Sequence, residues 1–191
     1  MELWSVQTPE VLECIEKDGL YICNPGLSEH ITDFGFGPAY DWLVSQMESR
    51  IGPRPQGVTH PIWAWHTRDW KHHKPDLRES GYLARGQAGV LLSLEVPDKD
   101  VLLSDFDAWH WPLNGWFLSA ATNEVDCDRE ENVFKTLSPE KKLYALHKSW
   151  EHIFDVSEFN SDWMSRGRYI QATFWALRKE YIQKVQRFQA R

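Results

Sequence analysis

The chain is poor in cysteine, in long apolar runs and in positive charge. Its three cysteines, Cys14, Cys23 and Cys127, are odd in number and far apart among 191 residues. That spacing is no disulfide framework and fits a reducing cytoplasm. No apolar stretch approaches the ~20 residues that span a bilayer, so no membrane association is expected. The opening MELWSVQTPE lacks the charged and apolar regions of a signal peptide. Twenty-one Lys and Arg against 28 Asp and Glu leave a formal net charge of -7. Whole-surface binding to nucleic acid is therefore disfavoured, while a local basic patch stays open. No HExxH or CxxC pair supports a metal site, and no Gly-x-Ser-x-Gly elbow makes Ser104 a nucleophile. A P-loop and a Gly-x-Gly-x-x-Gly turn are also missing, which removes ordinary ATPases, kinases and Rossmann enzymes.

What is present is aromatic. The chain is 42% hydrophobic and 14% aromatic, enough for a substantial core, and no low-complexity linker interrupts the apolar pattern. A single domain over residues 1–191 is expected. Six of the eleven tryptophans lie between Trp63 and Trp116, alongside His60, His66, His72, His73 and His110. Rings at that density, with Asp and Arg between them, point to a pocket wall as well as a core.

The pattern resolves into alternating elements. LWSVQT alternates as a strand. Thr8-Pro9 then supplies an N-cap and N1 for a helix whose inward stripe is Val11, Leu12 and Ile15, closed by Gly19. Residues 20–37 read as a loop with a short helical turn. A second helix runs from Pro38 to Arg50 through Tyr40, Leu43 and Met47, and PIWAWH is a strand. Residues 71–86 are loop. QAGVLLSLEVP is the clearest strand, with Val90, Leu92, Leu94 and Val96 on one face, and VLLS returns as a short strand. Residues 105–117 read as a helix broken at Pro112, and 118–137 as irregular and acidic. Ser138-Pro139 opens a third helix with Leu143, Leu146, Trp150 and Ile153 inward. Residues 169–188 fit a helix or a strand, a turn at Arg178-Lys179-Glu180 and a second strand; the β-rich start favours the strands. The fold class is α+β, a small mixed or antiparallel sheet flanked by helices.

Five constellations carry candidate chemistry. The histidines around PIWAWH lack ligand spacing and read as surface or hydrogen-bonded groups. Asp76 and Arg78 in KPDLR could hold ligand phosphates, or form a surface pair. LLSDFDAWH delivers Ser104, Asp105, Asp107 and His110 at a strand end, for acid–base work or as a helix cap. Glu95 could stabilise a cationic transition state from its strand, or face solvent. Gln7 and Gln171 sit mid-strand, where a buried amide binds a ligand or ties two strands. Trp63 or Trp65 would stack on a base.

The run LWSVQTPE, AYDWLVSQM, PIWAWH, KPDLR, LLSDFDAWH, SWEHIFD and IQATFWAL resembles the bacterial domain of unknown function numbered 3841, over nearly the whole chain. Its strand–helix opening is similar to that of ADP-ribosyltransferase-like domains. There a first-strand polar residue faces a nicotinamide pocket and a glutamate acts from a later strand. Gln7 and Glu95 stand at those positions, although LWSVQT lacks the usual His or Arg. The resemblance implies a bacterial cytoplasmic enzyme handling a nucleotide, with NAD as substrate and no assigned cofactor. Glu95 and Asp105 would be catalytic; Gln7, Trp63, Trp65, Asp76, Arg78, His110 and Gln171 would bind ligand. The alternatives are a non-catalytic module for nucleotide or single-stranded nucleic acid, and a tryptophan-anchored protein-interaction domain. The sequence leaves the oligomeric state open.

Overall fold

The computed structural model describes residues 1–23 and 35–191. Most of the loop expected over residues 20–37 lies outside the described residues. β1 (Glu2–Gln7) leads into α1 (Pro9–Asp18) and the two-residue β2 (Leu20–Tyr21). Pro9 sits at the start of α1, where its missing N–H costs nothing, and Gly19 ends it at φ 75° with its N–H donating to Ile15 O. The Thr8 side chain caps nothing in α1; its hydroxyl hydrogen-bonds the Glu10 carboxylate instead and lowers that group's pKa.

After α2 (Gly37–Ile51) come β3 (Ile62–Thr67), β4 (Ala88–Glu95) and β5 (Leu102–Asp105). The short α3 (His110–Leu113) precedes α4 (Glu124–Thr136) and α5 (Pro139–Trp150). The chain closes through β6 (Phe159–Asn160), β7 (Ser165–Arg166), β8 (Ile170–Phe174), β9 (Leu177–Arg178) and β10 (Ile182–Gln189). One six-stranded sheet, ordered β10-β4-β1-β3-β8-β5, is antiparallel at every pairing. This is an α+β architecture.

Strand alternation sends side chains to two helical layers. Leu3, Ala64, Leu92, Leu94, Ala172 and Phe174 meet Val11, Leu12 and Ile15 of α1 on one side. Leu102, one step out of phase with Leu103 and Ala172, joins Trp42, Leu43 and Met47 of α2 and Trp150 beyond it on the other. There Trp42 sets its edge against Trp150 at 5.4 Å and stacks on Phe154 at 5.7 Å. Each fully buried aliphatic side chain contributes ~1.5–3 kcal/mol relative to exposure, so these two layers hold the sheet.

Five expectations are corrected. Residues 124–136 are helical, not irregular: Asn123 Oδ1 accepts from Asp126 N and caps the helix. The sequence hid α4 because it has no buried residue, hence no apolar stripe to read. Leu143 is exposed, while Trp150 and Ile153 of the expected stripe are buried, with Ser149 beside them. Ser138, which precedes α5, makes no side-chain cap bond. The helix expected over residues 105–117 is confined to His110–Leu113, with Pro112 inside it; turns occupy 106–109 and 114–115, where Gly115 takes a left-handed φ of 67°. The C-terminal stretch is strand, but β8 pairs with β3 and β5 while β10 crosses to the far edge on β4, so no hairpin forms.

A tight two-residue turn follows β3. Asp69 and Trp70 both take left-handed φ values, 47° and 67°. Non-glycine residues pay strain there. Neighbours hold it: Arg68 and Lys71 exchange backbone hydrogen bonds, Trp70 N donates to Arg168 O, and Arg168 pairs with Asp69 at 2.9 Å. Among the described residues no helix is long and apolar enough to cross a membrane.

Candidate functional site

The end of β5, α3, the start of α4 and the β6–β7 hairpin surround a cavity of about 590 Å³. Ligand pockets commonly fall at roughly 300–1,000 Å³. Trp111 and Trp163, 38% and 43% exposed, are among its walls, with Phe117 and Met164 beside them. Asp105, Asp107, Arg166 and His152 bring charge and proton-transfer chemistry to the same hollow.

β5 places Asp105 there because it ends at that residue. Asp105 is 2% exposed, and its two oxygens are engaged: Oδ1 accepts from Ala108 N at 2.9 Å and Oδ2 from Gly167 N at 2.7 Å. A buried carboxylate with two backbone donors is compensated rather than stranded. It ties the turn carrying Asp107 to the hairpin carrying Arg166. Gly167 (φ 78°) has no room for a side chain: a Cβ would lie 2.9 Å from Val156 O.

Asp107 is the neighbouring carboxylate on the cavity wall. Desolvation of its carboxyl and the adjacent Asp105 raise its pKa, against weaker pulls from His110 and Arg168. His110 stands over Phe106 edge-on at 5.1 Å, its Nδ1 3.1 Å from the carbonyls of Phe106 and Asp107. On the opposite wall Arg166 Nη1 lies 2.7 Å from Asp155 Oδ2.

Other expected site residues lie elsewhere. Glu95 ends β4, exposed, with Oε1 2.6 Å from the Met1 amino group. Four strand spacings separate β4 from β5, roughly 19 Å at the usual interstrand distance, so Glu95 and Asp105 do not meet. Asp76 and Arg78 engage each other on the surface, Arg78 76% exposed, and that guanidinium holds the Asp76 carboxyl well below the usual carboxylate range. Gln7 donates to Ser5 Oγ within β1, and it is the Ser5 hydroxyl that donates to Trp63 O across to β3. Trp63 packs among Tyr40 and Trp109. Trp65 lies under the Arg68 guanidinium at 4.5 Å. Gln171 sits in register between Trp65 and Ser104, a row that continues from Trp65 to Trp4.

Of the residues singled out in LLSDFDAWH, Asp105 and Asp107 line this cavity and His110 does not, whereas Trp163, Arg166, His152 and Asp155 line it without having been singled out. The available signal was SDWMSRGR, where a tryptophan and an arginine flank turn formers ahead of a glycine. Among the described residues no three His, Cys, Asp or Glu side chains converge as a metal-binding group.

No curated protein and no solved structure matches the chain. The family described as a domain of unknown function (DUF3841) matches residues 2–183, and the chain belongs to that family.

Proposed function

We propose that the β5–hairpin cavity binds a nucleotide of the NAD type and that the protein transfers or hydrolyses its ADP-ribosyl group. The supporting observation is the convergence of Trp111, Trp163, Asp107 and Arg166 on one hollow. Trp111 and Trp163 stack on the rings, a contact worth ~1–3 kcal/mol per base. Arg166 takes a phosphate oxygen. Among the described residues, the carboxylates of Asp105, Asp107, Glu131 and Asp155 share the walls with this one guanidinium. That excess suits a ligand with a cationic pyridinium ring and opposes a polyanion, so single-stranded nucleic acid is the weaker reading.

The catalytic part falls to Asp107 rather than Glu95. Its raised pKa makes it a stronger base than an ordinary aspartate. An acceptor hydroxyl, water in the simplest case, gives its proton to Asp107 as its oxygen bonds to the ribose C1′ carbon. The C1′–nitrogen bond breaks and nicotinamide leaves neutral. Asp105 positions Asp107 through the Ala108 turn.

The test is chromatographic assay of nicotinamide released from NAD, with calorimetry for binding. Binding without release supports a non-catalytic nucleotide module. Neither binding nor release overturns the proposal. Asp107→Asn is expected to stop release while NAD still binds.

A further inference from the structure

We infer that Asp155 occupies the seat of the ligand's phosphate on Arg166 and thereby sets how tightly phosphorylated ligands bind, an inference that rests on the nucleotide reading. Both residues line the cavity, and among the described residues Arg166 is its one arginine. Asp155 is fixed in place independently of Arg166. Its Oδ1 accepts from Ser157 Oγ at 2.6 Å and from Ser157 N at 3.2 Å, leaving Oδ2 to face Arg166 Nη1 at 2.7 Å.

The pairing is incomplete. Arg166 Nε donates to Ser157 O at 3.3 Å, and the ion pair uses one nitrogen of the guanidinium rather than its two-pronged edge. Arg78 shows the contrast: Nε and Nη2 both engage Asp76. A guanidinium has five N–H donors, so Arg166 keeps donors for a second anion. Its charge, however, is already neutralised from one side. Burial pushes the Asp155 carboxyl up, but Ser157 and Arg166 outweigh it and hold it below its ordinary value. It is therefore ionised at neutral pH, and an incoming phosphate must displace it or share Arg166 with it. The side chains of Arg166 and Asp155 are 23% and 43% exposed, so screening is partial.

Asp155→Asn removes the competing charge while keeping an oxygen for Ser157. The probes are AMP and adenosine, which differ only in the phosphate, titrated by calorimetry into the wild type, Asp155→Asn and Asp155→Asn/Arg166→Gln. The expected result is AMP affinity about threefold to tenfold tighter in Asp155→Asn, adenosine affinity unchanged, and the gain lost in the double variant. Matching thermal midpoints of wild type and Asp155→Asn establish that the fold is intact; should Asp155→Asn not fold, Asp155→Ser takes its place with the same expectation. Unchanged or weaker AMP binding in the single variant overturns the inference alone. Failure of all three proteins to bind either probe overturns the nucleotide reading with it.

Discussion

Asp105 Oδ2 accepts the backbone N–H of Gly167 at 2.7 Å across 62 residues of sequence, joining the end of β5 to the hairpin that carries Arg166. Two walls of the cavity are locked together by this one carboxylate, since its other oxygen holds Ala108 N. Asp105→Ala strands both donors in a buried position. A loss of about 2–4 kcal/mol is expected in urea denaturation, with weaker nucleotide binding. Gly167→Ala is expected to be comparably harmful, because it combines a left-handed φ with a Cβ 2.9 Å from Val156 O.

Asp107 is expected to show a function–stability conflict. Its folded pKa is raised, chiefly by desolvation and then by Asp105. The folded state therefore binds its proton more tightly than the unfolded chain does. That contribution is fully present below the unfolded value and lost as pH rises through the folded value. Asp107→Asn should stabilise the protein at neutral pH by no more than about 1 kcal/mol after solvent screening, and flatten the stability–pH curve just above the ordinary carboxylate range. Denaturation midpoints across pH 4–7 (about three units, chosen to bracket the shift) check this.

His66 gives the opposite sign. Desolvation first and the facing His72 second depress its pKa, the two rings lying 4.3 Å apart. A base with a depressed folded pKa contributes fully above its unfolded value of about 6.5 and loses that contribution as pH falls. His66→Gln should reduce the loss of stability on acidification below that pH, as read from thermal midpoints.

The two sides of α5 separate core from surface. Ile153, just beyond α5, is fully buried, and Leu143 is 58% exposed. Ile153→Ala is expected to cost about 2–5 kcal/mol. Leu143→Lys should stay within about 0.5 kcal/mol of wild type. Chemical denaturation of both variants distinguishes this packing from the inward stripe that Leu143 shares by spacing alone.

These contrasts mark what the sequence discloses. Alternation in LWSVQT and GVLLSLE is dictated by burial on the two sheet faces, so β1 and β4 are legible. Pro9, Gly19 and the stripe Val11, Leu12 and Ile15 announce α1 for the same local reason. α4 rests on a cap and a solvated surface, so no periodic apolar signal declares it. The site follows that division. LLSDFDAWH shows Asp105 because a strand ending in carboxylates is a local pattern. Arg166 and Trp163 reach the cavity only through pairing of Phe159 with Arg166 and of β8 with β5, which no spacing encodes. Glu95 and Asp76–Arg78 carried plausible chemistry in sequence; strand order and mutual pairing place them away from the hollow.

The most direct test of the cavity as a nucleotide site is the indole N–H region of a ¹H–¹⁵N spectrum, where each of the eleven tryptophans gives its own signal. On titration with NAD the Trp111 and Trp163 signals, assigned by single substitution, should move saturably while those of Trp63 and Trp175 stay fixed. Movement of the latter pair without the former, or no movement at any indole, contradicts the account.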